Sequence, residues 1–381
     1  WFNERVEYKA LMKKYGDAGD DDNYGYFKRR QHVQKIILNS LYGVLGLPVF
    51  RFYDIDNAEA TTLTGQDLIK FTETITNHYY NKELGDKEDY CIYTDTDSVF
   101  YPALPLVQKR YPDADVSNDE FMTEQILLVA KEVQDFINNG YDYFASKFLN
   151  VRGEHRFDIK QECVAKSAFW VTKKRYGQWI INDGGIKCDK LDVKGLDIVR
   201  SSFPPAMRDL MTGVLKDILS YVDKEIIDDK IHTFKKDMKT LPIYDIASPT
   251  GVRGLNKYKN TQRTKFKGKT IFTETKKGTP VHVKSALIYN DLLKHFGCND
   301  SEPIRNNEKI KWVYMKQNPL GISNIALKGY DDPDKILEFV EQYIDRDKIF
   351  EGQLQKKINM FYDAMGWNFQ AEKNENVGKF F

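Results

Sequence analysis

Two long stretches with helical spacing of apolar residues, Ala58 to Tyr80 and Asn118 to Leu149, enclose a segment of a different kind. Tyr90 to Tyr101 is rich in β-formers on both sides of Asp95-Thr96-Asp97. It reads as strand, tight turn, strand, with the acidic turn where the strands meet. A second such unit is expected downstream: Ser167 to Thr172 and Tyr176 to Ile181 flank a Lys-Lys-Arg cluster, and Asn182-Asp183-Gly184-Gly185 supplies a hairpin-type turn. Helices therefore alternate with a sheet up to about residue 197, which makes this a mixed α/β chain of the α+β kind.

Upstream, Val33, Ile36, Ile37, Leu38, Leu41, Val44 and Leu45 recur with helical spacing between Phe27 and Leu45, closed by Gly43 and Gly46. Gly16 to Gly25, with Asp17, Asp20, Asp21 and Asp22, has the composition of an exposed tip between helices. Phe50 to Asp54 reads as a short β-type run. Beyond about 197 the texture changes. Ser201 and Ser202 before Pro204 and Pro205 form a helix start signal, followed by an amphipathic face of Met207, Leu210, Met211, Val214, Leu215, Ile218 and Leu219. A domain boundary is placed near 197. The last regular segment starts at Asp332-Pro333 and, after a break, runs from Leu354 to Met365.

A chain of 381 residues is too long for one ordinary core and predicts two or three domains. With 13% aromatic residues it is composed for packing, not disorder. The net charge is only +1, so any nucleic-acid function rests on where basic residues cluster and not on the total. Cys91, Cys163, Cys188 and Cys298 form no C-x-x-C pair, which argues against a thiolate metal site and for free thiols in a reducing compartment. No stretch approaches the roughly 18 consecutive apolar residues of a membrane span, and no basic-then-apolar leader opens the chain. The first residue is Trp1 and the opening segment reads as the middle of something, so the sequence is expected to be a fragment.

Two places carry chemistry. Tyr93-Thr94-Asp95-Thr96-Asp97-Ser98-Val99 puts two carboxylates two residues apart, where their charges repel unless a cation, best a hard divalent one, sits between them. A polar hairpin turn accounts for the same residues. In Lys35-Ile36-Ile37-Leu38-Asn39-Ser40-Leu41-Tyr42-Gly43, Lys35 and Asn39 are four apart and share a helix face, with Tyr42 close by. A cation, an amide and an aromatic on one face suit an incoming nucleotide. The plainer alternative is a wet polar face.

Together, Lys-x-x-x-Asn-Ser-x-Tyr-Gly followed some fifty residues later by Asp-Thr-Asp-Ser resembles motifs B and C of family B DNA polymerases. Lys173-Lys174-Arg175-Tyr176 resembles the basic palm motif that grips the primer-template duplex. Phe50-Arg51-Phe52-Tyr53-Asp54 and Gly195-Leu196-Asp197 before Ser201-Ser202 are most like the T-even phage group. The resemblance implies a right-hand architecture, with fingers over 1–48, a palm with antiparallel sheet over 49–197, a mainly helical thumb over 198–376 and a tail over 377–381. It implies template-directed DNA synthesis by two-metal phosphoryl transfer in an infected bacterial cytoplasm. Asp97 would bridge two magnesium ions, with Asp95 a neighbouring acid. Lys35 would contact the triphosphate of the deoxynucleotide, Tyr42 would lie against the new pair with Asn39 in support, and Lys174 and Tyr176, beside Lys173 and Arg175, would hold the primer-template DNA. No Asp-x-x-Ser-Leu-Tyr-Pro-Ser stretch and no exonuclease motif is found, so an amino-terminal portion is expected to supply both.

Between Arg253 and Lys284, ten basic residues face one acid, Glu274, with Tyr258 and Phe266 among them, a plausible duplex-backbone track or a solvated loop. The tail Val377-Gly378-Lys379-Phe380-Phe381 resembles the sliding-clamp-binding tails of replicative polymerases; Phe380 and Phe381 could instead fold back onto the thumb. Against the enzyme stands a second reading, a non-catalytic fragment that binds primer-template and clamp. An RNA polymerase or reverse transcriptase is disfavoured by the Lys35 to Gly43 motif.

Overall fold

The computed structural model describes residues 1–266, 270–298 and 300–368, with backbone alone at 260–266 and 270–272. The chain divides into two compact units, Trp1–Gln161 and Glu162–Phe381. The division falls inside the 49–197 segment assigned above to the palm; fingers, palm and thumb are divisions by function and remain proposals.

The first unit opens with a helical hairpin, α1 (Phe2–Asp17) and α2 (Asp21–Leu45). The acid-rich tip is where composition placed it: Gly19 takes φ 70°, and the Asp20 carboxylate caps α2 by accepting the Asn23 N–H at 3.1 Å. That cap starts α2 at Asp21, earlier than the Phe27 expected from apolar spacing. Phe27 then stacks on Tyr15 of α1 with centroids 5.5 Å apart. Gly43 lies inside the helix and Gly46 follows its end.

The β-type run expected over Phe50 to Asp54 is not a strand. Pro48 precedes a series of turns in which Phe50 N–H donates to Leu47 and Tyr53 N–H to Phe50, and Asp54 becomes the cap of α3 (Ile55–Leu84), accepting from Asn57 N–H at 3.0 Å. Aromatic content mimicked a strand, but the backbone donors are spent locally.

Helix α3 packs on α5 (Asp119–Lys147), capped by Asn118. Their contact is close because Gly140 offers no side chain: a Cβ there would lie 2.7 Å from Ile75 Cδ1. Nearby, Thr72 Oγ1 and the Tyr141 hydroxyl hydrogen-bond at 2.8 Å in full burial. Strands β1 (Tyr93–Asp95) and β2 (Ser98–Phe100) pair antiparallel, Asp95 opposite Ser98. The Tyr101 hydroxyl donates to the Glu73 carbonyl at 3.0 Å and so ties the hairpin to α3. Helix α4 (Leu104–Arg110) completes this unit, with Leu106 and Val107 buried beside Tyr80, Met122 and Val129.

In the second unit β3 (Cys163–Thr172), β4 (Arg175–Asp183) and β5 (Ile186–Lys194) form an antiparallel sheet, and Gly184 and Gly185 take positive φ in the expected β4–β5 turn. α6 (Pro205–Leu219) lies against it. A Cβ on Gly177 of β4 would come 2.8 Å from Leu215 Cδ2. Ser201 and Ser202 do not cap α6 as the start signal suggested. Pro204 occupies the cap and Pro205 the first helical position, leaving the serines in the preceding turn.

Next come α7 (Lys224–Asp237), α8 (Ile243–Ile246), β6 (Ser248–Gly251), α9 (Leu255–Tyr258), and the hairpin β7 (Lys259–Phe266) with β8 (Thr270–Thr275). α10 (Val281–His295) precedes β9 (Lys309–Tyr314) and β10 (Asn324–Leu327), which join β6 in the order β10-β9-β6. The expected closing segment is α11 (Asp334–Tyr343), α12 (Arg346–Ile349), a π-helical stretch Phe350–Gln355, and α13 (Lys356–Met365). Phe169, Leu196, Met207 and Phe361 share one core, so packing is continuous through residue 197.

Candidate nucleotide and nucleic-acid site

The acidic turn consists of Thr96 and Asp97 between β1 and β2. Thr96 takes φ 57°, and Asp97 N–H donates to the Asp95 carbonyl at 2.6 Å. Only the first central residue has positive φ, the pattern of a type II′ hairpin, which ordinarily places glycine there. A β-branched residue in that region is an outlier costing about 1–3 kcal/mol. The Thr96 hydroxyl donates to the Asp95 carboxylate at 3.1 Å, and the Ser98 hydroxyl to the Asp95 carbonyl at 3.1 Å. Asp95 is half-buried and Asp97 exposed, with no hydrogen bond or ion pair to the Asp97 carboxylate among the described residues. Oxygen donors of this kind fit a hard divalent cation. In number they make only part of a site, since the described residues hold no group of three or more His, Cys, Asp or Glu able to bind a metal.

Lys35, Asn39 and Tyr42 are all exposed on α2, at spacings that put them along one face. Tyr42 retains 43% of its surface, and Val33, Ile36 and Leu41, elsewhere around α2, are exposed too. No hydrogen bond or ion pair among the described residues joins this face to Asp95 or Asp97.

In the second unit, Lys173 and Lys174 form the exposed tip of the β3–β4 hairpin, Lys174 at φ 61°. The next two residues of the motif turn inward. Arg175 Nη2 donates to Asp197 Oδ2 at 2.7 Å, and Lys357 Nζ pairs with the same oxygen at 2.9 Å. Tyr176 is only 6% exposed, its ring stacked 6.1 Å from Trp170. The expectation named Lys174 and Tyr176, beside Lys173 and Arg175, as the residues that hold DNA; in the structure Lys173 and Lys174 are exposed, Arg175 is half-buried and Tyr176 is buried. Asp197 and Lys357 were missed as partners; Gly195-Leu196-Asp197 was the available signal.

Of the basic stretch, Arg253, Lys257, Lys259, Lys276, Lys277 and Lys284 are exposed, and Lys257 Nζ lies 5.5 Å from the Tyr258 ring centroid. The side chains of Arg263, Lys265, Phe266, Lys267 and Lys269 lie outside the described residues, as do Phe380 and Phe381. Buried Asp291 on α10 accepts the Thr273 N–H at 2.5 Å and its hydroxyl at 3.1 Å, so β8 is anchored to α10.

The helical hairpin α1–α2 and the acidic β-turn lie in the segment of the chain that a family model matches. The family model for DNA polymerase family B matches residues 1–105, the segment from α1 through the acidic turn. Over 352 residues, 89% of this chain, the sequence is 25% identical to the DNA-directed DNA polymerase of Enterobacteria phage T4, and to that of Escherichia phage RB69. It is 26% identical over 266 residues, 68% of the chain and 28% of the relative, to a DNA polymerase of Thermococcus gorgonarius. The chain is a relative of the family B DNA polymerases, and the likeness to the phage enzymes runs along most of its length. It spans 37% of the length of those phage relatives. No helix among the described residues is long and apolar enough to cross a membrane.

Proposed function

We propose that the chain is a carboxyl-terminal portion of a DNA-directed DNA polymerase, acting in a phage-infected bacterial cell. The observation that carries this reading is the Asp95-Thr96-Asp97 turn, a strained hairpin that exposes the Asp97 carboxylate, with no hydrogen bond or ion pair to it among the described residues, inside the segment that matches the family. Strain at a pair of like charges is the kind of local cost that persists where a site needs a fixed geometry.

The reaction is attack of a primer 3′-hydroxyl on the α-phosphate of a deoxynucleoside triphosphate, forming a phosphodiester and releasing pyrophosphate. Asp97 and Asp95 would hold two magnesium ions, which supply Lewis-acid neutralisation of the phosphate oxygens. Lys35 contributes a positive charge toward the triphosphate, and Tyr42, supported by Asn39, packs against the nascent pair. Lys173 and Lys174 engage the duplex backbone, with Arg175 and Tyr176 behind them. The exposed lysines of the 253–284 region would extend this duplex contact. Another carboxylate and the exonuclease would come from an amino-terminal portion, and Phe380 and Phe381 would reach a sliding clamp.

A second reading is favoured by one observation: no further acidic side chain completes a metal cluster around Asp95 and Asp97 among the described residues. On that reading the chain alone binds primer-template without transferring nucleotides. Primer extension separates the two. The chain joined to an amino-terminal portion bearing the missing carboxylate is expected to extend a primer with magnesium and to stop on chelation. Binding without extension in that joined form leaves the non-catalytic reading, and failure to bind primer-template refutes both.

A further inference from the structure

The tip of the β3–β4 hairpin is held from behind. Lys174 at φ 61° occupies a left-handed backbone region that a side-chain-bearing residue disfavours, so its conformation needs external support. Two features provide it. Gly195, itself at φ 65°, comes so close to the tip that a Cβ would fall 2.0 Å from the Lys174 carbonyl oxygen. Asp197, with its side chain only 13% exposed, grips the residue that follows the tip: Arg175 Nη2 lies 2.7 Å from one carboxylate oxygen, and Arg200 Nη1 3.4 Å from the other. Lys357 on α13 shares the first oxygen at 2.9 Å, and Arg175 Nη1 reaches the Met360 sulfur on the same helix at 3.6 Å. The carboxylate thus joins the first residue of β4 to α13.

We infer that Asp197, together with Gly195, is a positioning residue for primer-template binding, fixing Arg175 against α13 so that the Lys173-Lys174 tip is presented in one geometry. The inference rests on the proposed reading of that tip as a duplex contact. It makes a claim opposite in sign to simple charge counting. Removing the carboxylate leaves Arg175, Arg200 and Lys357 without their shared counter-charge, and a more positive surface alone would bind a polyanion more tightly. Loss of position weakens binding instead.

The test titrates a fluorescent primer-template duplex with the 381-residue chain, following anisotropy at several salt concentrations, with thermal melts to confirm that each variant is folded. Lys173→Ala/Lys174→Ala is expected to weaken binding about tenfold or more and to flatten the salt dependence, since two phosphate contacts go. Asp197→Asn is expected to weaken binding several-fold in the parent chain but to change nothing further in the double-lysine background. Asp197→Glu should restore part of the loss. Gly195→Ala, on an exposed stretch, should reproduce the loss and serves as the second variant should Asp197→Asn not fold. Tighter or unchanged binding by folded Asp197→Asn, or an equal loss in the double-lysine background, overturns the positioning role. Should the double-lysine variant bind as well as the parent, the duplex reading of the tip fails, and the inference with it.

Discussion

Asp97 N–H donates to the Asp95 carbonyl oxygen at 2.6 Å, closing the β1–β2 hairpin over Thr96 at φ 57°. The two acidic residues are thereby held on either side of a backbone position that a threonine occupies only under constraint. Hairpins of this pattern relax with glycine at that place, so the threonine is a testable cost.

Thr96→Gly removes the left-handed penalty of about 1–2 kcal/mol but adds chain freedom worth about 0.5–1 kcal/mol in the unfolded state. The expected outcome in chemical denaturation is a stability unchanged or raised by up to about 1.5 kcal/mol, with slower primer extension by the joined polymerase because the carboxylates lose their fixed spacing. A clear loss of stability would mean that the Thr96 hydroxyl on the Asp95 carboxylate outweighs the strain.

Lys35→Ala removes an exposed charge on α2 that makes no ion pair with a described residue. Steady-state kinetics of the joined enzyme should show a rise in KM for deoxynucleotide, on the order of tenfold, and a lower kcat, since a charge toward the triphosphate acts in both ground and transition states. Affinity for primer-template should hardly move. The reverse pattern would place α2 on the duplex and not at the nucleotide.

Thr72→Val probes the α3–α5 contact. The Thr72 hydroxyl donates to the Leu68 carbonyl at 2.8 Å and so accepts from Tyr141, whose own ionisation burial pushes up. Valine keeps the shape and strands the tyrosine hydroxyl, at an expected cost of about 1–3 kcal/mol in urea unfolding of the first unit. A neutral result would show that the helices are held by their apolar contacts alone.

Glu132 accepts from both terminal nitrogens of Arg110, at 3.0 and 2.5 Å, and this hydrogen bonding lowers its pKa. A carboxyl depressed in the fold stabilises above its unfolded pKa and loses that contribution as pH falls through the folded value. The partners are 33% and 49% exposed, so screening limits the pair to about 1 kcal/mol or less. Glu132→Gln should therefore melt slightly lower than the parent at pH 7, and the gap should close as the solution is acidified below the ordinary carboxylate range. A gap that widens on acidification would reverse the sign.

Much of this architecture is legible in the residues, for physical reasons that vary by place. The α1–α2 tip and the Gly184-Gly185 turn announce themselves because short polar residues and glycines suit the backbone there, and the acidic hairpin does so through the β-formers on both sides of Asp95-Thr96-Asp97, although Thr96 at φ 57° is not the residue its backbone favours. Phe50 to Asp54 misleads because aromatic and charged residues satisfy a strand pattern, while Pro48 and the Asp54 cap, one position each, decide otherwise. At the candidate site, the turn at Asp95-Thr96-Asp97 and the helix that carries Lys35 can be read locally. What cannot is that Tyr176 turns into the sheet and Arg175 into Asp197, because their partners Trp170, Asp197 and Lys357 are brought in by β pairing and by α13, far along the chain.

The central claim is that Asp97 acts on the reacting phosphate and not on the duplex. The most direct measurement is single-turnover primer extension by the joined polymerase carrying Asp97→Ala, with primer-template affinity measured on the same preparation. Nucleotide addition is expected to fall by at least three orders of magnitude, on the order of what removing a principal transition-state stabiliser costs, with duplex affinity within about twofold of the parent. Asp95→Asn is expected to be milder. Extension within a few-fold of the parent by Asp97→Ala would contradict the assignment of this turn as the catalytic centre.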